Sequence, residues 1–186
     1  MKSTARSLRL AALVAICVPG LALCDQTDPR LGALFETLQS SQDEALLQQT
    51  ESEIWDIWYE SGVPQVDDKM EQAAELVLNG DLAAGERLYS EVIELLPAFS
   101  EGWNRRATVR FYQRDFAGSL ADIEETLRLE PRHFGAIWGL GMILGSQRDY
   151  ERAILAFERL LEIKPNAADA RPRIEDLKRQ MALDSV

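Results

Sequence analysis

A period of 34 residues, running from about residue 66 onward, constrains the fold of this chain more than any other feature. Pro97, Pro131 and Pro165 are spaced at this interval. Three Asp residues, each followed by a bulky apolar residue, keep the same interval: Asp81, Asp115 and Asp149. Repeats of this length are small structural units that bury their apolar faces by stacking on one another. The period therefore predicts a repeat array rather than a single closed core.

Each period predicts two helices. An Asp between a turn and a helix can accept hydrogen bonds from the first free N–H groups of that helix, and a Pro ends a helix because it cannot donate. Apolar residues recur between these positions at spacings of three and four, as expected for the buried side of a helix. In the third period these are Ile154, Phe157, Leu160 and Leu161. We therefore expect an all-α fold.

The order of small and aromatic residues resembles the tetratricopeptide repeat family, whose pattern is W-x2-L-G-x2-Y, then A-x3-F, then P. The third period matches it best, with Leu140-Gly141, then Ala153 and Phe157, then Pro165. The resemblance implies a right-handed α-solenoid of helix-turn-helix units. The three units span residues 66–99, 100–133 and 134–167.

The family pattern also assigns roles to single positions. It implies that Trp103 is a core residue, and that small residues lie where the two helices of a unit come closest. These small residues are Ala73, Ala107 and Gly141 on the first helices, and Gly85, Ser119 and Ala153 on the second. Arg106 and Arg110 depart from the pattern, since the family usually has apolar residues there. We expect their stems to pack and their charged ends to reach solvent or an acid.

Two flanking regions are predicted to cap the array. Residues 25–65 form a helical hairpin, which we expect to stack on the first unit. Its second helix carries three aromatic residues: Trp55, Trp58 and Tyr59. Residues 168–186 form a C-terminal capping helix and tail, with Ile174 and Leu177 on a single apolar face. Open ends of a repeat array expose apolar surface, so a one-sided helix is typical of such a cap.

The first 24 residues have the layout of a secretory signal peptide. Lys2, Arg6 and Arg9 precede an apolar run of nine residues, Leu10–Val18, which Pro19-Gly20 ends. The run is too short for a permanent membrane anchor. Both Cys residues fall within this leader, and the remainder has no Asn-x-Ser/Thr site. Export to the periplasm of a Gram-negative bacterium is the predicted localisation.

Cys24 leaves an alternative open. The segment Leu21-Ala22-Leu23-Cys24 resembles a bacterial lipobox, in which the Cys is acylated and becomes the new N-terminus. Leu23 departs from it, because the residue before the Cys should be small. The chain would then be a lipid-anchored envelope scaffold, and contact with a membrane is expected only in that case.

Charge and composition exclude several function classes. Without the three leader cations, 17 Lys and Arg stand against 31 Asp and Glu, a net charge of −14. Binding to nucleic acid needs a basic face, so no nucleic-acid partner is expected. His133 is the single His and lies at no recognisable distance from a nucleophile or metal ligand. We therefore predict no metal, no cofactor and no catalytic residue: the protein is not an enzyme.

The family resemblance implies a concave face, lined by the first helix of each unit, that binds a peptide or helix of a protein partner. The candidate groove residues are Asn104, Arg105, Thr108, Tyr112, Trp138 and Met142, with Asp67, Met70, Ala74 and Val77 in the first unit. A clamp for chaperone tails needs Lys and Asn in this face. Met70 and Ala74 occupy those positions in the first unit, so this clamp is excluded.

A further alternative is self-assembly through the flanking regions. Trp55, Trp58 and Tyr59 would form the contact between copies, because exposed aromatic clusters are typical of interfaces. The oligomeric state stays open on the sequence.

Overall fold

The computed structural model describes residues 25–184, which form nine α-helices and no strand. The helices are α1 (Arg30–Ser40), α2 (Glu44–Tyr59), α3 (Pro64–Leu78), α4 (Leu82–Leu95), α5 (Ser100–Tyr112), α6 (Phe116–Leu129), α7 (Phe134–Ser146), α8 (Tyr150–Ile163) and α9 (Ala170–Asp184). The prediction of an all-α solenoid is confirmed. The predicted signal peptide and Cys24 lie outside the described residues.

The repeat units are three helix pairs, α3 with α4, α5 with α6 and α7 with α8. Each pair packs on the next, and α8 packs on α9. The three periodic Asp residues begin the second helix of each unit. Their carboxylates accept from the backbone N–H groups of Ala84, Gly118 and Arg152. The 34-residue period therefore marks the same cap in every unit.

Small residues let the two helices of a unit approach closely, as predicted. A Cβ on Gly141 of α7 would lie 2.7 Å from the ring of Phe157 on α8. In the second unit, the hydroxyl of Ser119 donates to the carbonyl of Ala107 over 2.7 Å. Larger side chains at these positions would separate the helices, because protein interiors are close-packed.

The turn between the helices of each unit needs one residue in the left-handed region of backbone space. Gly80 has φ 86°, and the residues one and two periods later are Arg114 with φ 65° and Arg148 with φ 63°. A side chain makes this conformation unfavourable by about 1–2 kcal/mol, which glycine avoids.

We expect Arg114→Gly to raise the free energy of unfolding by about 0.5–1 kcal/mol, because the relief of strain exceeds the extra flexibility of glycine in the unfolded chain. Urea denaturation followed by circular dichroism measures this change. The matched control is Arg128→Gly on the exposed side of α6, which should lower the same quantity by about 1 kcal/mol. A loss for both variants would contradict the prediction.

The two arginines that depart from the family pattern form an ion-pair network between α4, α5 and α6. Arg106 donates to both carboxylate oxygens of Asp122, over 2.9 and 2.7 Å. Arg110 donates to the same carboxylate over 3.0 Å and to Glu86 over 2.9 Å. The prediction that these charged ends reach an acid is confirmed.

Trp103 is not the core residue that the family pattern implied. Its side chain is half-buried and lies outside the three apolar clusters of the described residues. The indole N–H donates to the carbonyl of Pro97 over 3.0 Å, and the guanidinium of Arg106 lies 5.0 Å from the ring centre. Because Asp122 draws the Arg106 side chain inward, this part of the unit is polar and Trp103 stays near the surface.

The prediction that the N-terminal hairpin stacks on the first unit was wrong for most of its length, because only its C-terminal end, at Tyr59 and Val63, packs there. Instead α1 contacts α8, and α2 contacts α5. Its apolar residues belong to the same core as Phe134, Phe157 and Leu177 of the third unit and α9. The physical reason is that Trp58 of the hairpin finds an aromatic site against His133 and Phe134, whereas exposed positions of α3 include polar residues such as Asp68 and Gln72.

Candidate partner-binding site

A depression lies between α5 and α7, the first helices of the second and third units. Its volume is about 200 Å³. Apolar side chains of α5, α6 and α7 form much of its lining, among them Ala107, Phe111, Ile123 and Ile143. Five of the six predicted groove residues also line it: Asn104, Thr108, Tyr112, Trp138 and Met142. We call this region the α5–α7 depression.

The side chains around the α5–α7 depression are held in place by their neighbours. The ring of Trp138 is half-buried and meets Phe157 edge-on, with 5.0 Å between ring centres. The Met142 sulfur accepts from Arg173 over 3.4 Å. The Thr108 hydroxyl donates to the backbone carbonyl of Asn104 over 3.0 Å. In contrast, Tyr112 is 62% exposed, so its ring is available for contact.

Arg105, the sixth predicted groove residue, lies outside the α5–α7 depression. Its Nε donates to Glu101 over 2.5 Å. Its guanidinium lies 5.1 Å from the ring centre of Tyr59 and 5.9 Å from that of Trp55, both on α2. A guanidinium over an aromatic face is attracted by the ring quadrupole. Arg105 therefore ties the N-terminal hairpin to the array.

Glu101 is a fully buried carboxylate at the centre of this contact. It accepts from Asn104 Nδ2 over 2.9 Å, from Arg105, and from His133 Nε2 over 2.9 Å. His133 Nδ1 accepts from the backbone N–H of Ala136, so Nε2 carries the proton that is donated to Glu101. Burial alone would raise the pKa of the Glu101 carboxyl, but the charge of Arg105 and the hydrogen bond from His133 hold it below its usual value.

His133 links this carboxylate to the hairpin. Its ring stacks on Trp58 with 4.2 Å between centres and 11° between planes. It is fully buried, and it caps α7 through Ala136. Neither Glu101 nor His133 was identified from the sequence as part of a network. A Glu in the first turn of a helix is usually solvated there, so Glu101 gave no signal.

The first unit contributes less to the groove than predicted. Met70, a predicted groove residue, is completely buried in the apolar cluster of the first unit. The carboxylate of Asp67 accepts from the N–H and hydroxyl groups of Ser61. Tyr59 and Val63 pack against this unit from the end of the hairpin, which leaves little of its inner face open.

The aromatic residues of the hairpin do not form a free surface. Trp58 is completely buried within the chain, and Trp55 and Tyr59 are half-buried against α5 and α7. Trp58 therefore cannot form the predicted self-assembly contact, while Trp55 and Tyr59 help to hold the hairpin on the array.

Two other kinds of feature are absent between residues 25 and 184. In that range no three His, Cys, Asp or Glu side chains are grouped as metal ligands. None of the helices described there combines the length and the apolar character needed to cross a membrane.

These features define a helical-repeat protein with an apolar depression between the first helices of two units. The family model described as "Tetratricopeptide repeat" matches residues 104–168. A TPR repeat-containing protein of Rhizobium etli is 33% identical over 153 residues, which is 82% of this chain and 75% of the relative. The chain belongs to the tetratricopeptide repeat family.

Solved structures agree with this fold. The first TPR domain of Spaghetti (RPAP3), bound to an HSP90 peptide, superposes with a TM-score of 0.61 at 20% identity over 63% of this chain and 93% of that chain. The TPR2B domain of yeast Sti1, in complex with an Hsp70 peptide, gives 0.60 at 14% identity over 63% and 99%. At these identities the likeness concerns the fold.

Proposed function

We propose that this protein is a non-enzymatic interaction module that binds an extended or helical segment of a protein partner in the α5–α7 depression. The observation that carries the proposal is the depression itself, with an apolar lining, an exposed Tyr112 and a fixed Trp138. Aromatic side chains with little freedom are favourable contact residues at interfaces. The Spaghetti and Sti1 domains are described with chaperone peptides bound, which supports peptide binding by this fold.

The net negative charge of the chain favours a partner segment that carries basic residues. We place this function in the bacterial cell envelope, on the strength of the leader at residues 1–24. A lipid-anchored scaffold acylated at Cys24 is the second candidate, favoured by the lipobox-like segment. Mass spectrometry of the mature N-terminus distinguishes them, because only the anchored form has an acylated Cys24 as its first residue.

A peptide-display selection on the purified chain tests the binding site. We expect selected peptides to lose at least about tenfold in affinity on the double variant Thr108→Arg with Tyr112→Ala, which corresponds to about 1.4 kcal/mol. The bulky Arg obstructs the depression, and the second change removes an aromatic contact. The control is Leu155→Ala on α8, where an equally exposed apolar residue lies outside the depression.

Unchanged affinity for the double variant, with the fold intact by circular dichroism, would place the peptide elsewhere on the molecule. An equal loss for Leu155→Ala would also count against the α5–α7 depression.

A further inference from the structure

A second depression opens between the N-terminal hairpin and the third unit, and we infer that it binds a Lys or Arg side chain of the segment held in the α5–α7 depression. This inference rests on the proposed function and names the partner's chemistry. The second depression, about 290 Å³, is called the hairpin depression. The residues that define it are Glu51 and Trp55 of α2, Phe134 and Trp138 of α7, and Lys164 and Asp169 beyond α8.

The two depressions share a wall. Gly135 and Trp138 line both of them, so they lie on either side of the same part of α7. One short segment can therefore place an apolar side chain in the first and a neighbouring side chain in the second. Gly135 lets the Trp55 ring of the hairpin approach α7 closely, since a Cβ there would lie 2.7 Å from that ring.

The aromatic lining of the hairpin depression suits a cation. Indole and phenyl faces attract ammonium and guanidinium groups and disfavour anions. The chain already places one of its own cations there, because Lys164 Nζ lies 5.4 Å from the ring centre of Phe134. The same Nζ lies 2.5 Å from a carboxylate oxygen of Glu51, so these two charges compensate each other.

Asp169 leaves one uncompensated negative charge at this place. It is exposed, and its carboxylate has no hydrogen-bond or ion-pair partner among residues 25–184. Basic residues of α9 are engaged with other groups: Arg171 with the Pro165 carbonyl, Arg173 with the Met142 sulfur and Arg179 with Asp176. A free carboxylate beside two Trp rings therefore favours a basic side chain over an acidic or neutral one.

The hairpin supplies Glu51 and Trp55, which no repeat unit provides. Its docking against the links between units thus creates a recognition element alongside the groove. The partner segment is predicted to contain an apolar residue and a basic residue a few positions apart.

Peptide selection, followed by removal of the charge on the peptide and on Asp169, tests this inference. Peptides selected on the wild-type chain should carry Lys or Arg at a constant distance from an apolar residue. Replacing that basic residue of the peptide with norleucine should weaken its binding to the wild-type protein about fivefold. The same replacement should weaken binding to the Asp169→Asn variant by less than about twofold, because an uncharged amide already stands in place of the carboxylate. Glu158→Gln, at an exposed acid of α8, is the matched control and should behave as the wild type.

A second variant has the opposite expected sign. Lys164→Met keeps an apolar side chain over Phe134 but frees the Glu51 carboxylate, so it should strengthen binding of the basic peptides severalfold. Circular dichroism on both variants verifies the fold.

The outcomes separate this inference from the proposed function. Peptides that respond to the Tyr112 double variant but lack a basic residue, or bind Asp169→Asn equally well, would overturn the inference alone. A preference for acidic peptides, strengthened by Asp169→Asn, would overturn it as well. Peptides that ignore the double variant would overturn both.

Discussion

Trp58→Ala is expected to lower the free energy of unfolding by about 3–5 kcal/mol. The indole is completely buried between the hairpin and the third unit. It stacks on His133 and packs on Phe134, with 4.9 Å between ring centres, and on Phe35 at 5.9 Å. Its removal leaves a cavity at the point where the hairpin is held. Urea denaturation followed by circular dichroism measures the loss.

Two variants make this result specific. Trp103→Ala removes a half-buried indole outside the apolar clusters and should cost only about 1–2 kcal/mol. Trp58→Phe keeps most of the packing and removes a buried indole N–H that has no acceptor among the described residues, so its loss should be well below that of Trp58→Ala. A Trp58→Ala loss no larger than the Trp103→Ala loss would show that the hairpin is not docked through Trp58.

Glu101→Ala is the second large effect, with an expected loss of about 3–5 kcal/mol. The buried carboxylate accepts hydrogen bonds from Asn104, Arg105 and His133. Its removal leaves these donors without their acceptor, and the side chains of Asn104 and His133 are buried from water. Glu101→Gln keeps an acceptor and should cost less, and the difference between the two variants separates lost hydrogen bonds from lost charge.

The free energy of unfolding at acidic pH tests the electrostatic part of this network. The pKa of Glu101 in the folded chain lies below its usual value of 4.5, since Arg105 and His133 outweigh the opposing effect of burial. A carboxyl with a lowered folded pKa adds stability above its unfolded pKa, and this stability is lost as pH falls through the folded value. The stability difference between the wild type and Glu101→Gln should therefore shrink as pH falls below 4.5.

Other carboxylates titrate in the same range, so the comparison uses the difference between the two proteins rather than the wild type alone. A difference that stays constant, or grows on acidification, would contradict the role assigned to the Glu101 charge.

Docking of the hairpin also changes which residues of the array are free to contact a partner. Arg105 was expected to contact a partner, but it contacts Glu101, Tyr59 and Trp55 of its own chain. Trp138, which borders both depressions, is instead the residue that we propose to contact the partner. A variant at Arg105 would thus report on hairpin docking, and one at Tyr112 on binding.

The repeat architecture could be predicted from the sequence alone. The caps at Asp81, Asp115 and Asp149, and the close contact at Gly141, are local features that recur at one interval. Helix formation, caps and the packing of neighbouring helices depend on residues close in sequence, so periodicity was sufficient. Five of the six groove positions came together for the same reason, because the helical spacing sets which residues share a face.

Where the hairpin docks, and which polar groups it buries, depends on contacts that form only in the folded chain. Contacts such as Trp58 with His133, or Gln26 with the carbonyl of Ala98, join residues more than 70 positions apart and leave no periodic trace. Glu101 looks like a solvated helix residue until Arg105, His133 and the hairpin enclose it. The energy of a buried charge depends on every group around it, and these groups come together only when the chain is folded.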